Sequence, residues 1–310
     1  MNNNSQKYQT LLESVPCNFC GTNDFKVIYA PRYEAAKPEE ILNTFRSSGD
    51  EVLLDQLVQC KNCGLQYLNP RLKADVVLEG YGAGTDEAFI SQAAGRERTF
   101  AKSLKVIEKF KQQHGRLLDV GTAGGSFLSE AQKAGWDVAG CEPNRWLCDW
   151  GNKHYGLKIV PGTIFNMGLP DASFDVVTLW DVLEHTPDPK SVLTECVRVL
   201  KPSGLLVVNY PDIHSSIARL MGRRWVFLLS VHLYYFTNET LKKMLESVGF
   251  KQVARRRHWQ TLELGYILFR MEAYLGGFAR VLGRFAKTLH TSTWQVPYWM
   301  GQILVIAEKK

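Results

Sequence analysis

The stretch LLDVGTAGGSFL, residues 117–128, joins two apolar runs through a turn rich in glycine. The first run ends at Asp119, and the turn contains Gly121, Gly124 and Gly125. Glycines between a strand and a helix let the backbone approach a phosphate or nucleoside closely, so such turns are typical of nucleotide sites. The stretch therefore predicts a nucleotide-binding loop, and the residues around it must indicate which nucleotide it binds.

Short apolar runs alternate with helical stretches on the C-terminal side of Gly115. The expected strands are RLLDV (116–120), DVAGCE (137–142), KIV (158–160), FDVVTLW (174–180) and LLVVNYPD (205–212), and the expected helices are GSFLSEAQKAG, NRWLCDWGNKHYG and PKSVLTECVRVLKPSG. This alternation predicts an α/β fold in which helices cover both faces of a mostly parallel sheet. Ligands of such sheets bind at the carboxyl ends of the strands.

The dinucleotide fingerprint G-x-G-x-x-G matches the loop poorly, since its last two positions hold Ala123 and Ser126. The pattern that fits is acid-x-G-x-G-x-G, with Asp119, Gly121, Ala123 and Gly125 at the four marked positions. In this pattern the chain resembles the class I S-adenosylmethionine-dependent methyltransferases, whose first motif has the same form. Ala123 departs from it, and we expect the alanine to be tolerated with a negative φ.

The next motifs strengthen this resemblance. Glu142 ends the following strand, 23 residues after Asp119, where an acid can accept hydrogen bonds from both ribose hydroxyls. The segment FDVVTLWDVLEH, residues 174–185, is similar to the fourth-strand signature of the family. The resemblance implies further cofactor contacts, namely Thr163, Ile164 and Phe165 at the adenine, Leu179, Trp180 and Asp181 at the methyl donor, and Arg96 or Arg98 at the carboxylate.

The resemblance covers about residues 75–310 and implies a Rossmann-like, seven-stranded sheet that is parallel except for an antiparallel last strand, GQILVIAEKK. We therefore assign a methyltransferase domain to residues 71–310. About forty residues separate the expected strand KQVARRR from the last strand, where a short loop would be usual. We interpret this segment, at about 260–298, as a helical insertion.

Two cysteine pairs precede this domain, Cys17 with Cys20 and Cys60 with Cys63, and each is followed by a glycine. Two C-x-x-C-G turns are typical of a zinc ribbon with a closed, structural metal site. We assign this ribbon to residues 1–70, with a helix expected near EEILNTF (39–45). The pairs also resemble those of deoxysugar C-methyltransferases, but these carry a further C-terminal domain for which we expect no room here.

Methyl transfer from a sulfonium is an in-line displacement, so the enzyme mainly positions the reactants and supplies a base where the acceptor needs one. The candidate catalytic residues are His232, His185 and Asp181, with Asp212 and Tyr81 as further candidates for the pocket. Each histidine has a structural alternative, in which its ring bonds only to loop backbone.

The net positive charge of the chain is concentrated in residues 251–290, which include most of the insertion. Residues 251–290 contain eight Lys or Arg against two acids, while the whole chain has a formal net charge of +6. The apolar stripe of the insertion at Phe278, Val281, Leu282, Phe285 and Leu289 lies beside Arg280, Arg284 and Lys287. Three interpretations remain open here, namely a lid or dimer contact, peripheral membrane contact through residues 262–290, and RNA binding.

The overall composition is that of a globular protein, with 45% hydrophobic residues and no apolar N-terminal signal, so we expect a cytoplasmic protein, with membrane contact limited to the inner face. We predict a methyltransferase that uses S-adenosylmethionine and a structural zinc, and that acts mainly by O-methylation on a small molecule or a glycan, including a lipid-linked one. The alternatives are an RNA methyltransferase, although the pattern disfavours nucleic acid, and a non-catalytic scaffold. The sequence leaves the oligomeric state open.

Overall fold

The computed structural model describes residues 3–33, 52–82 and 84–310. The helix expected near residues 39–45 lies outside these described residues. The N-terminal part contains α1 (Asn3–Thr10), β1 (Leu12–Glu13), β2 (Phe25–Tyr29), β3 (Leu57–Cys60), β4 (Gln66–Leu68) and β5 (Arg71–Leu72).

The central part begins with three helices and continues with the expected alternation. Its elements are α2 (Ala74–Gly82), α3 (Glu87–Ile90), α4 (Ala93–Ile107), β6 (Arg116–Val120), α5 (Ser126–Lys133), β7 (Asp137–Glu142), α6 (Arg145–Tyr155), β8 (Ile159–Pro161), β9 (Phe174–Trp180), α7 (Pro189–Val199) and β10 (Leu200–Pro211). The C-terminal part contains α8 (Ser216–Met221), β11 (Tyr234–Tyr235), α9 (Asn238–Ser247), β12 (Phe250–Arg257), β13 (Gln260–Glu263), α10 (Leu264–Leu275), α11 (Gly277–Thr288), β14 (Gln295–Tyr298) and β15 (Gln302–Lys309).

Seven strands form the main sheet, in the order β12-β15-β10-β9-β6-β7-β8. Five neighbouring strands of this sheet pair in parallel, namely β10, β9, β6, β7 and β8. Strand β15 is antiparallel to both of its neighbours. This is the Rossmann-like arrangement predicted from the sequence. The strand order reverses between β6 and β9, and ligands of open α/β sheets bind in the crevice at such a point. The glycine loop after β6 lies there.

The strands are buried because they are apolar on both faces, as parallel strands covered by helices must be. Leu117, Leu118, Val176 and Val177 are all fully buried in neighbouring strands. Several helices begin directly after a residue whose side chain caps them. Thr237, for example, caps α9 by accepting a hydrogen bond from the backbone N–H of Thr240 at 3.2 Å.

Two local predictions were wrong. The helix expected over 189–204 ends at Val199, and β10 begins directly afterwards at Leu200. Pro202 explains the early end, because the residue before a proline is disfavoured in helical conformation. The insertion contains the two predicted helices, α10 and α11, but also a strand pair, β13 with β14, that the sequence did not predict.

The N-terminal part is joined to the rest by backbone pairing. Its sheet has the order β11-β4-β3-β2, so the edge strand β11 comes from residues that follow the parallel strands. Tyr234 in β11 lies opposite Tyr67 in β4, and both side chains are buried. One apolar core therefore runs continuously from the cysteine-bearing sheet to α7 and α9 of the main sheet.

Candidate active site

The glycine loop has the backbone geometry that its residues predict. Gly121 has φ +68°, and a Cβ at this position would lie 2.7 Å from Cγ2 of Val182. Gly125 has φ +80°, and a Cβ there would lie 2.6 Å from Cδ1 of Leu157. Both positions thus require glycine, because a side chain would be strained and would also clash. The loop passes tightly from β6 into α5.

Ala123 does not have the backbone conformation that we expected. Its φ is +48°, in the left-handed region, so the negative φ on which its tolerance was expected to depend is not observed. The conformation lets the Ala123 N–H donate a hydrogen bond to Oε2 of Glu142 at 2.9 Å. A strained non-glycine residue persists only where its surroundings hold it, and this carboxylate is the group that holds it here.

Asp119 and Glu142 lie near the carboxyl ends of the paired strands β6 and β7, and both are buried. Oε1 of Glu142 accepts a hydrogen bond from the backbone N–H of Asn144 at 2.9 Å, and Oδ1 of Asp119 accepts one from the Thr178 hydroxyl at 2.5 Å. Burial raises the pKa of each carboxyl to about 7, against the effect of these hydrogen bonds. The carboxyl edge of the sheet therefore carries two buried carboxylates, and their charged forms are energetically unfavourable in the absence of a ligand.

The other expected cofactor contacts follow neighbouring strands. Ile164 is buried in a short 3-10 helix after β8, whereas the adjacent Phe165 is 54% exposed. Trp180, the last residue of β9, packs its ring 4.9 Å from that of Phe127 and 5.2 Å from that of Phe100. Its indole Nε1 is buried and has no partner among the described residues.

Arg96 and Arg98 point in different directions from α4. Arg98 is exposed, while Arg96 is partly buried, with its guanidinium 3.6 Å from the centre of the Phe89 ring. Positions two apart on a helix face nearly opposite sides, so only one of them can face the sheet. Burial lowers the pKa of Arg96, while Tyr298 and Asp181 are among the groups that oppose this shift. Among the described atoms, its Nε finds no hydrogen-bond partner.

Asp181 follows β9 with φ +52°, which turns the chain at the same edge of the sheet. Its Oδ1 accepts a hydrogen bond from Nδ2 of Asn209 at 2.6 Å, and its Oδ2 accepts one from Nε2 of Gln260 at 3.3 Å. Burial raises its pKa to about 6, with Arg96 acting in the opposite direction. The Tyr298 hydroxyl donates to Oε1 of Gln260 and completes this network.

Sequence reasoning missed Gln260, Tyr298 and Asn209. Gln260 and Tyr298 lie on the strand pair β13–β14 at the base of the insertion, and Asn209 lies in β10. Nothing in the local pattern marks these residues, because their role depends on contact with a residue that is distant in sequence.

The two candidate histidines pack against each other, with ring centres 4.5 Å apart. Nδ1 of His232 donates to the Phe227 carbonyl at 2.9 Å, and Nδ1 of His185 lies 2.5 Å from the Tyr81 hydroxyl. Burial lowers the pKa of His185 to about 4 and that of His232 well below its usual range. Both rings are therefore neutral at pH 7.

Glu184 lies next to this histidine pair. It is 1% exposed, and neither carboxylate oxygen has a partner among the described residues. Burial, together with the nearby Asp181, raises its pKa well above the usual range. One possible ligand atom from each of Glu184, His185 and His232 lies within 4.8 Å of the others. Carboxylate and imidazole are suitable ligands for a divalent transition metal.

The four paired cysteines form a second cluster, far along the chain from the glycine loop. Their sulfurs all lie within 4.8 Å of one another, with Cys17 3.4 Å from Cys63 and Cys20 3.5 Å from Cys60. Both turns close through a glycine with positive φ, and Gly21 N–H donates to the Cys17 carbonyl at 2.8 Å. The remaining cysteines, Cys141, Cys148 and Cys196, are buried.

Comparison with known proteins agrees with this geometry. The profile of the methyltransferase domain family matches residues 93–255, from the start of α4 to β12. The chain belongs to the methyltransferase domain family. The matched region includes the glycine loop, Asp119 and Glu142.

Two curated relatives are ubiquinone biosynthesis O-methyltransferases. That of Methylococcus capsulatus is 37% identical over 95 residues, which are 29% of this chain and 40% of the relative. That of Psychrobacter arcticus is 27% identical over 180 residues, which are 49% of this chain and 70% of the relative. The chain thus spans less than half the length of the first of these two methyltransferases.

A solved structure shows the same fold. An S-adenosylmethionine-dependent methyltransferase from Archaeoglobus fulgidus is 20% identical, with a TM-score of 0.50 over 72% of this chain and 100% of that chain.

No helix among the described residues has the length and apolar character needed to cross a bilayer.

Proposed function

We propose that this methyltransferase-family chain transfers a methyl group from S-adenosylmethionine to an oxygen atom of a small molecule or a glycan, including a lipid-linked one. The observation that carries the proposal is the pairing of the Ala123 N–H with the Glu142 carboxylate, above the tight turns at Gly121 and Gly125. The relatives named above are O-methyltransferases of ubiquinone biosynthesis, which supports oxygen as the acceptor atom. They lend no support to RNA methylation or to a scaffold.

The residues present fit the cofactor. Each oxygen of Glu142 accepts one backbone N–H, and a carboxylate oxygen can accept a second bond, which leaves room for the two ribose hydroxyls. Oδ2 of Asp119 is buried without a partner among the described residues, as expected beside a polar ligand. Ile164 and Phe165 would line the adenine, and Trp180 would lie near the methyl donor. When bound, the cofactor supplies an electrophilic methyl group on a sulfonium.

Arg96 is the better choice for the carboxylate of the cofactor, although the sequence pattern also allowed Arg98. Its guanidinium lies on the Asp181 side of α4 and has a buried Nε available for a hydrogen bond. Arg98 faces solvent and has no comparable environment.

This choice can be tested with a matched pair of variants. We expect Arg96→Lys to weaken cofactor binding about tenfold or more, because lysine cannot reproduce the planar fork of the guanidinium. Arg98→Lys, on the same helix, should leave the affinity unchanged. Isothermal titration with S-adenosylmethionine measures both. An equal loss in the two variants, or a larger loss in Arg98→Lys, would assign the carboxylate to another residue.

On the acceptor side, we assign proton transfer to Asp181, with His185 and His232 as further polar groups for the acceptor. Among these three, Asp181 has a pKa closest to neutral, and a base works best when its pKa lies near the working pH. Gln260 and Asn209 hold the Asp181 carboxylate in place through both oxygens. His232 and His185 would orient the acceptor hydroxyl through their ring nitrogens.

Cys17, Cys20, Cys60 and Cys63 would hold one structural zinc. Four thiolates around Zn²⁺ at about 2.3 Å stand roughly 3.8 Å apart in a tetrahedron, close to the sulfur separations found here. Such a set leaves no coordination position for a substrate, so the metal would stabilise the N-terminal sheet without taking part in methyl transfer.

The decisive experiment is native mass spectrometry of the purified protein with and without S-adenosylmethionine. We expect one bound zinc and one bound cofactor, with cofactor binding lost in Glu142→Gln and retained in Glu246→Gln, an exposed control on α9. Binding would then justify a screen of hydroxylated acceptors with labelled methyl donor. A protein that carries zinc but never binds the cofactor would overturn the proposal and favour a scaffold.

A further inference from the structure

Helix α11 leaves its largest apolar side chains in solvent. We call Phe278, Val281, Leu282, Phe285 and Leu289 the α11 stripe; it follows helical spacing along one face. Phe278 is 64% exposed, Phe285 62% and Leu289 68%. Scattered apolar residues are usual at protein surfaces, whereas a continuous stripe of this size marks an interaction site.

The same helix packs against the protein through small residues. Only Ala279 and Ala286 are buried among its twelve residues, and they share a different face from the α11 stripe. The contacts of α11 within the chain are mainly with α10. A helix that used its apolar face to stabilise the fold would bury the phenylalanines, so the α11 stripe serves something outside the chain.

Basic residues occupy the third face of α11. Arg280, Arg284 and Lys287 are all exposed, and residues 264–290 contain a single acid, Glu272, which pairs with Arg280 at 3.2 Å. Beyond the helix, Phe269 on α10 and Trp294 after α11 are each 62% exposed. Phenylalanine and leucine on one face with arginine and lysine on another are typical of helices that lie in the plane of an anionic membrane surface.

We propose that the α11 stripe inserts into the surface of an anionic bilayer, with Arg284 and Lys287 contacting lipid phosphates. The charge of the segment favours this partner over an uncharged apolar protein surface, because it complements the negative surface potential of the membrane. The strand pair β13–β14 joins both ends of the helical hairpin to Asp181 through Gln260 and Tyr298. Docking therefore holds the candidate active site at the bilayer. The membrane contact itself does not depend on the proposed methyl transfer.

Vesicle co-sedimentation of the full chain tests this inference. We expect binding to vesicles of phosphatidylglycerol mixed with phosphatidylcholine, little binding to phosphatidylcholine alone, and weaker binding as salt is added. Because the assay needs no cofactor or acceptor, its result is independent of the proposed function.

Two double variants identify the surface. Phe278→Ser with Phe285→Ser should weaken vesicle binding about tenfold or more through lost apolar insertion. Arg284→Gln with Lys287→Gln should have a similar effect, at about tenfold, through lost attraction to phosphate. The matched controls are Leu220→Ser on α8, where the leucine is 84% exposed, and Lys102→Gln with Lys105→Gln on α4. All of these side chains are exposed, so the variants should fold.

Each of four results would overturn the inference. The first is wild-type protein that fails to bind anionic vesicles, and the second is binding that both double variants retain. The third is a dimer, measured by light scattering, that the phenylalanine variant dissociates while vesicle binding is absent, since a second copy would then be the partner. Filter binding that showed RNA held through Arg284 and Lys287, again without vesicle binding, would identify a nucleic-acid surface instead.

Discussion

At the scale of single residues, the glycine loop depends on one strained position. Ala123 has a left-handed backbone, and its N–H is the donor that orients Oε2 of Glu142. Left-handed backbone costs an L-residue about 1–2 kcal/mol because its Cβ crowds the following carbonyl. Here the bond to a buried carboxylate offsets part of that cost.

Replacing Ala123 by glycine should therefore stabilise the protein. We expect Ala123→Gly to raise the free energy of unfolding by about 0.5–1 kcal/mol, after the greater freedom of glycine in the unfolded chain is subtracted. Urea denaturation measures this change. Cofactor affinity should stay the same or increase, since the hydrogen bond to Glu142 is made by the backbone. A destabilised glycine variant would show that Ala123 is not strained.

Asp119 should make stability depend on pH. Its pKa is about 7 in the folded chain and close to 3.8 when unfolded, so the folded state binds more protons between these values. The free energy of unfolding therefore falls as pH rises through this range, and the change is complete above pH about 7. Each unit of pKa shift corresponds to about 1.4 kcal/mol, so a shift of about three units lowers the free energy of unfolding by roughly 4 kcal/mol across this pH range.

Asp119→Asn removes this charge and keeps an acceptor for the Thr178 hydroxyl. Without cofactor, we expect the variant to gain stability relative to wild type as pH increases from about 4 to 7, and then to keep a constant difference. Denaturation curves at several pH values provide the comparison. A difference that does not change with pH would mean that the Asp119 carboxyl titrates normally.

At the scale of elements, the insertion is held by an unusually close approach between α4 and β13. A Cβ on Gly95 would lie 2.6 Å from the Thr261 carbonyl oxygen, and the Thr261 N–H donates to the Thr99 hydroxyl at 2.8 Å. The helix that carries Arg96 and the strand that begins at Gln260 are thus positioned by the same contact. The two sides of the candidate site are coupled through it.

Gly95→Ala should disrupt this contact, whereas Gly283→Ala in α11 should not. The alanine Cβ at position 95 would push the backbone of α4 away from that of β13, so we expect the free energy of unfolding to fall by about 1–3 kcal/mol. The second substitution meets nothing within 4 Å in a helix, where alanine is favoured over glycine by up to about 1 kcal/mol. Thermal unfolding of both variants tests the pair. Equal effects would argue against the close packing of α4 on β13.

At the scale of the whole molecule, the cysteine-bearing sheet and the main sheet form one structure. Strand β11 completes the N-terminal sheet, and the Leu68 N–H donates to the Leu233 carbonyl at 3.0 Å. The Leu53 N–H similarly donates to the Leu228 carbonyl at 2.9 Å. Backbone hydrogen bonds and a common core therefore join the residues on the two sides of the domain boundary expected near residue 70.

Removal of the proposed zinc should consequently destabilise the whole chain. We expect Cys17→Ser with Cys60→Ser, or a strong chelator, to lower the unfolding midpoint of the main sheet as well, in a single transition. Calorimetry combined with metal analysis provides the measurement, and Cys148→Ala, outside the cluster, should keep its zinc. Two separate transitions, with only the first sensitive to zinc, would show that the parts unfold independently.

Patterns within short segments were enough to predict most of the fold. Apolar runs of strand length, helical periodicity and the turn at Gly121 and Gly125 all depend on neighbours a few residues away. The paired cysteines and the spacing from Asp119 to Glu142 are equally local. For this reason the sequence itself determined the alternation of strands and helices and the glycine loop after β6, whereas the seven-stranded sheet was implied by the family resemblance.

Only the tertiary structure decided what meets at the site. It turned Arg96 inward and Arg98 outward, brought Gln260 and Tyr298 from the insertion to Asp181, and made β11 an edge of the cysteine-bearing sheet. It also placed Ala123 in a left-handed conformation. These outcomes depend on distances between residues far apart in sequence, and on packing that selects one conformation among several that the local sequence allows.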